Sequence, residues 1–309
     1  MLSRRLPQQA PGVQRAPSLR EAVQWTVLYG SIFDYPLTRD EIHRFIVSPG
    51  GSRAEVEDAI DDALGDGVET DGQFLYPSGR SAAVETRLRR REHARRAWPR
   101  ARFYARLIWM LPNVLMVAIT GALAMDNVEK GDDIDFMIVT QPGRLWLTRA
   151  MILVVVKLAG IKGDTLCPNY IISSRCLRLD QQDLYTAHEL AQLAPIHGRR
   201  IAERLWTENA WCRDFLPNAR LRGEEGTDDR LPWILKAAKS LGQAVLNLPP
   251  GALIERWEQR RKIAKLSSDA SDHARETLYT ADVCKGHADS HGTRIMDRWV
   301  TQLEQQSGR

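Results

Sequence analysis

From Ser18 onward the apolar positions fall at helical spacing. Leu19, Ala22, Val23, Thr26, Val27 and Tyr29 share one face of a segment that ends near Gly30. Thr38 and Glu41, just after Pro36, form a capping box and predict the start of a second helix. A third helix over 53–64 turns Ala54, Val56, Ile60 and Leu64 inward, and the Gly- and Asp-rich stretch 65–76 predicts a hairpin. Strands follow at 114–119, 133–139 and 169–173, and between the last two lies a helix over 145–159 that is apolar nearly all round and so predicted to be buried. Beyond residue 180 the periodicity is helical, with amphipathic runs at 231–248, 253–266 and 293–303 predicted to cover the sheet.

Asp133-Ile134-Asp135-Phe136 is the most informative point in this pattern. Alternation along a strand points Asp133 and Asp135 the same way and sends Ile134 and Phe136 into the core. Two like charges on one strand face call for a cation, and hard carboxylate oxygens suit Mg²⁺ or Mn²⁺, which completes its shell with water and substrate phosphates. The alternative is a pair of exposed carboxylates with no ligand. Asp132 points to the opposite face and reads as a loop carboxylate. Gly121, at the end of the preceding strand, lets backbone amides approach a phosphate closely, with Ala122 beside it. Lys130, in a turn with Gly131, is either a phosphate contact or a solvent-exposed turn residue.

The strand, Gly121-Ala122, a loop and Asp133-Ile134-Asp135 together resemble the nucleotidyltransferase superfamily that includes DNA polymerase beta, over some 60 to 70 residues. The likeness extends to a group of bacterial nucleotidyltransferase-like proteins of unassigned substrate. It does so through Asn169-Tyr170, Ala187-His188-Glu189-Leu190, Glu208-Asn209-Ala210-Trp211 and Leu216-Pro217-Asn218. The resemblance implies an α+β fold with a small mixed-sheet core over 111–180. It also implies transfer of a nucleoside monophosphate from a nucleoside triphosphate to an acceptor hydroxyl, with Asp133 and Asp135 as catalytic metal ligands and Gly121, Ala122 and Lys130 toward the nucleotide. The chain departs from the superfamily twice. Ala122 stands where a serine is usual, and the strand 169–173 carries no third carboxylate. Asp164, just before that strand, is the candidate to supply it, and Asp180 lies just after. The alternative is a catalytically inactive member that senses a nucleotide or binds a protein or nucleic acid.

Three helices and a hairpin over 19–78 resemble a winged helix. The third helix carries Glu55, Glu57, Asp58, Asp61 and Asp62, which oppose a phosphate backbone, so an interaction or spacer module is favoured over a DNA reader. Residues 79–110 read as basic linker helices with arginines at 87, 89, 90, 91, 95, 96, 100, 102 and 106. Two readings stand: a surface for a nucleic-acid or acidic protein partner, or a solvated linker paired with the acidic third helix. A flexible lead-in (1–18) and a helical C-terminal region (181–309) complete the division.

The chain has 309 residues, 43% of them hydrophobic and 27% charged, with a net charge of +4, which frames an ordinary globular protein with room for about two domains. Cys167, Cys176, Cys212 and Cys284 form no Cys-x-x-Cys pair, and no apolar leader opens the chain, so reduced thiols in a cytoplasm are expected. Neither apolar stretch reaches the length of a membrane span. His188 beside Glu189 reads as a general base or a packing feature. Cys284, His287 and His291 have ligand-like spacing but lack the fourth partner of a structural zinc site.

Overall fold

The computed structural model describes residues 17–222, 229–269, 277–286 and 291–307. Helices α1 (Leu19–Ser31), α2 (Arg39–Phe45) and α3 (Arg53–Ala63) precede a hairpin of β1 (Val68–Thr70) and β2 (Leu75–Pro77). All three helices open on capping boxes, Ser18 with Glu21, Thr38 with Glu41 and Ser52 with Glu55. Each satisfies two backbone N–H groups that a helix start leaves unpaired. Val23, Ile42, Val56, Ile60 and Leu75 fill the small core between them. Leu37 exchanges backbone hydrogen bonds with Leu75, which stitches the entry to α2 onto the hairpin.

A single helix, α4 (Ala82–Trp109), then runs through Pro99 to the main sheet. The sequence predicted more than one helix here. A proline removes one ladder hydrogen bond, but α4 is held at both ends. Arg87 and Arg90 tie its start to the N-terminal unit, and Ala101, Tyr104, Ala105 and Ile108 pack its end on the sheet.

Next come β3 (Val114–Ile119), α5 (Gly121–Ala124), β4 (Ile134–Thr140), α6 (Leu145–Ile161), β5 (Leu166–Ser173), α7 (Leu184–Gln192), β6 (Ala194–His197), α8 (Arg199–Glu208) and α9 (Cys212–Phe215). The chain closes with α10 (Trp233–Leu246), α11 (Pro249–Asp269), β7 (Leu278–Tyr279), β8 (Val283–Lys285) and α12 (His291–Ser307). The sheet order is β6-β3-β4-β5-β8-β7. Only β4 and β5 pair in parallel, as their α6 crossover requires, and every other neighbour is antiparallel. The fold is therefore mixed α and β with a mixed sheet and a mainly helical C-terminal part. The sheet extends beyond the expected 111–180, because β6, β7 and β8 all come from residues after 180.

The two faces of β4 enter different cores. Ile134, Phe136 and Ile138 pack with α4 and α6, whereas Met137 and Val139 meet α7, α8, α12 and Tyr29 and Phe45 of the N-terminal unit. That second face docks the N-terminal helices against the sheet.

Helix α6 departs from its predicted complete burial, since Val154, Leu158 and Ile161 are exposed. α11 covers only one side of it, with Glu255 accepting hydrogen bonds from the Trp146 and Leu147 N–H groups at 2.9 and 2.7 Å, an acidic cap on the α6 start. α10 does not cover the sheet as expected, for it has no buried residue. Among the described residues no helix is long and apolar enough to cross a membrane.

Candidate functional site

Between the N-terminal unit and the second face of the sheet lies a cavity of 720 Å³. Its position follows from strand parity: Asp135 is the first residue of β4 on the face that carries Met137 and Val139, and it looks into the space that α1 and α7 close. β4 is flanked by β3 and β5, so the residues ending β3 and opening β5 surround this carboxylate.

On the β3 side, Thr120 N–H donates to the Asp135 carbonyl at 3.1 Å and the chain turns at Gly121 with φ +62°. A Cβ at Gly121 would stand 2.6 Å from Asp135 Oδ2. Glycine is needed here twice, for its left-handed backbone and to make room for the carboxylate. On the β5 side, pairing steps from Asp135↔Cys167 to Met137↔Tyr170, so β5 carries one extra residue at Pro168-Asn169. A bulge of this kind re-aims a side chain, and Asn169 Nδ2 donates to Asp135 Oδ1 while Asn169 Oδ1 accepts from the Cys167 thiol.

α7 provides the opposite wall. Its start is capped by Asp183, which accepts from Thr186 N–H at 2.8 Å, and this registers His188 and Glu189 toward the cavity. Burial pushes the Glu189 carboxyl up to about 7, with the Asp135 charge adding to the rise and Lys285 opposing it. Burial likewise raises Asp135 to about 6 against the hydrogen bond from Asn169, with Asp133 and Asp132 adding to the rise. Burial and the same carboxylates lift the Cys167 thiol to about 11. Each shift disfavours another negative charge in the cavity, and a cation reverses that preference.

His188 stacks on Tyr29 with ring centroids 4.0 Å apart and planes 8° from parallel, and burial lowers it to about 3. It is a neutral imidazole across the physiological range and too weak a base for the role the sequence left open. Neither ring nitrogen has a hydrogen-bond partner. An imidazole buried with one donor and one acceptor unspent carries a desolvation cost that its stacking on Tyr29 offsets only in part.

The other predicted residues divide sharply. Gly121 and Ala122 line the cavity with Asp135. Asp133 is exposed one residue before β4 and acts on Asp135 through its charge. Asp132, predicted to face away, lines the cavity and accepts from Glu129 N–H at 2.7 Å. Lys130 is exposed in its turn and does not line the cavity. Asp164 is not brought to the site. It accepts from Arg100 Nη1 at 2.8 Å and Tyr104 Oη at 2.7 Å, bracing α4 against the α6–β5 turn. The acid that shares the cavity with Asp135 from across the sheet is Glu189, which the sequence offered only as a neighbour of His188. A helix reaching back over the sheet brings it there, and strand spacing around the Asp-x-Asp motif carries no sign of it.

The arginines of α4 serve this site indirectly. Arg89 and Arg90 grip Glu129 in the β3–β4 loop at 3.0 and 2.8 Å, and Arg90 also donates to the Phe33 carbonyl. Hydrogen bonds from Arg90 and Arg89, aided by their charges, hold the Glu129 carboxyl below its usual range. Arg87 is buried against Glu41 and lies over the Tyr35 and Phe74 rings. The pairing expected with α3 is absent among the described residues, since the α3 acids Glu57 and Asp61 pair with Arg39 and Arg53 within the N-terminal unit.

Among the described residues no group of three or more His, Cys, Asp and Glu side chains is arranged to hold a metal ion. Cys284 is buried in β8, and His287 lies outside the described residues. All four cysteines are free thiols. No protein-family model, no curated protein and no solved structure matches the chain.

Proposed function

We propose that the chain is a Mg²⁺-dependent nucleotidyltransferase, moving a nucleoside monophosphate from a nucleoside triphosphate to an acceptor hydroxyl. The observation that carries this reading is the meeting of Asp135 and Glu189 in one cavity beside Gly121. The N-terminal unit, read as winged-helix-like, is then a wall of the site, since Tyr29, Gly30, Phe33 and Tyr35 line the cavity.

The donor set fits a divalent cation. Asp135 and, from the exposed turn just before it, Asp133 would supply hard oxygens, and Glu189 places a second carboxyl in the cavity of Asp135. Two carboxylates with the remaining positions left to water and phosphate is the usual Mg²⁺ arrangement. When bound, the ion neutralises charge that develops on the phosphate oxygens. Asn169 holds Asp135 in one orientation. Glu189, poised near neutrality, takes the proton of the attacking hydroxyl, the role for which the sequence had offered Asp164. His188 and Tyr29, stacked on each other, form the aromatic end of the cavity.

A second reading has its own observation. Ala122 lines the cavity where the superfamily has a serine, so a hydroxyl contact to phosphate is missing. On that reading the protein holds a nucleotide without turning it over.

Thermal stability with Mg²⁺ and each nucleoside triphosphate, together with pyrophosphate release, tests both. The first reading expects a Mg²⁺-dependent shift that Asp133→Asn with Asp135→Asn abolishes, and pyrophosphate release that Glu189→Gln suppresses while the shift persists. A shift without pyrophosphate under any acceptor tried supports the second reading. No shift with any nucleotide refutes both.

A further inference from the structure

Helices α10 and α11 present an apolar surface that the catalytic reading does not use. Trp233 and Ile234 on α10 are 78% and 60% exposed, and Leu253 and Trp257 on α11 are 63% and 62% exposed. α10 is attached by few contacts. Lys239 donates to the Trp109 and Val114 carbonyls at 2.6 and 3.0 Å, and Gly242 sits against Pro112. The remaining faces carry large apolar side chains into solvent, and an apolar patch of this kind marks an interaction site.

The charge around the patch is one-sided. Residues 230–268 contain eight Lys and Arg against two glutamates, Glu255 and Glu258, and both glutamates are buried. Leu253, Arg256, Trp257 and Arg260 follow i, i+3, i+4, i+7 spacing and share one exposed side of α11, with Arg261 also stacked over Trp257. Glu255 faces the other way, onto the start of α6. The result is tryptophan and aliphatic side chains interleaved with the exposed Arg256 and Arg260, while Arg261 pairs with the buried Glu258 at 2.7 Å.

We propose that the α10–α11 hairpin docks on an anionic membrane surface, lying in the headgroup layer with Trp233, Ile254 and Trp257 inserted and Arg256 and Arg260 on lipid phosphates. Three features favour this occupant. Exposed Trp and Leu beside Lys and Arg suit the headgroup layer, where aromatic rings insert and cations meet lipid phosphates. A two-fold contact between copies of this chain would set the arginines of one patch against those of the other, which like charges oppose. Finally, the open hollow on this face is bounded by Arg256, Arg260 and Arg261 beside Leu253 and Trp257, which sets guanidinium groups around a depression that lipid phosphates can enter. The inference is independent of nucleotide chemistry.

Co-sedimentation of the full chain with phosphatidylcholine vesicles, with and without phosphatidylglycerol, tests it. The expected result is binding to the anionic vesicles only. Ile254→Asp with Trp257→Asp should abolish it, and Arg256→Glu with Arg260→Glu should weaken it by about tenfold or more. All four positions are exposed, so unchanged thermal unfolding of the variants is the folding control, with the single Trp233→Ser variant as a milder second probe. Failure to bind anionic vesicles overturns the proposal. So does binding that both double variants retain, or a concentration-dependent dimer that Ile254→Asp with Trp257→Asp dissolves, which would make the face a contact between copies.

Discussion

Gly121→Ala is the sharpest perturbation the geometry offers. An L-residue in the left-handed region costs roughly 1–2 kcal/mol. The new methyl would also stand 2.6 Å from Asp135 Oδ2, so the carboxylate must swing away and loosen its hydrogen bond from Asn169. That bond, to a group that carries charge, is worth about 1–3 kcal/mol. The single substitution should therefore cost about 2–5 kcal/mol. In an Asp135→Ala background the carboxylate is gone and only the backbone penalty of about 1–2 kcal/mol remains. Urea unfolding of the four proteins of this cycle, followed by far-UV circular dichroism at constant m-value, measures the difference. A coupling below about 0.5 kcal/mol would show that the two residues are independent and refute the close approach. A near-neutral Gly121→Ala would refute the backbone argument as well.

The pH dependence of stability follows from the raised carboxyls. Asp135 stands at about 6 in the folded chain against 3.8 ordinarily, so the stability that proton binding contributes is full below pH 3.8 and is lost as pH rises through 6. The loss is about 3 kcal/mol, and Asp135→Asn should remove most of it in pH-resolved melts. Glu189, raised in the same direction to about 7, extends the fall toward neutrality, and Glu189→Gln should flatten that upper part. Asp164→Ala should lower stability by about 1–2 kcal/mol through its lost bonds to Arg100 and Tyr104, yet leave any nucleotide-induced shift intact; loss of that shift would return Asp164 to the site. Arg87→Ala should destabilise by about 3 kcal/mol, since it strips a buried cation from Glu41 and two aromatic faces. A change below about 0.5 kcal/mol in denaturant titration would show that the pair is solvated.

Local chemistry determined much of this protein. Thr38 with Glu41, the period of Leu19 to Tyr29 and the alternation of Ile134 to Val139 depend only on near neighbours, and the helices and strands they predict are present. The same alternation put Asp135 on the face opposite Ile134 and Phe136, where it lines the cavity. What the sequence could not determine is what arrives from far along the chain. Glu189 enters the cavity of Asp135 from 54 positions away because α7 folds back over the sheet, and Asn169 reaches Asp135 only because β5 has a bulge. Asp164, nearer in sequence, is turned aside by Arg100 and Tyr104. The arginine stretch is visible in the sequence, but its partners Glu41, Glu129 and Asp164 are set by how α4 spans the molecule. Periodicity measures which face of an element is apolar, and tertiary packing decides which of those faces meet. Helix α10 is amphipathic in sequence, yet none of its residues is buried by the described chain.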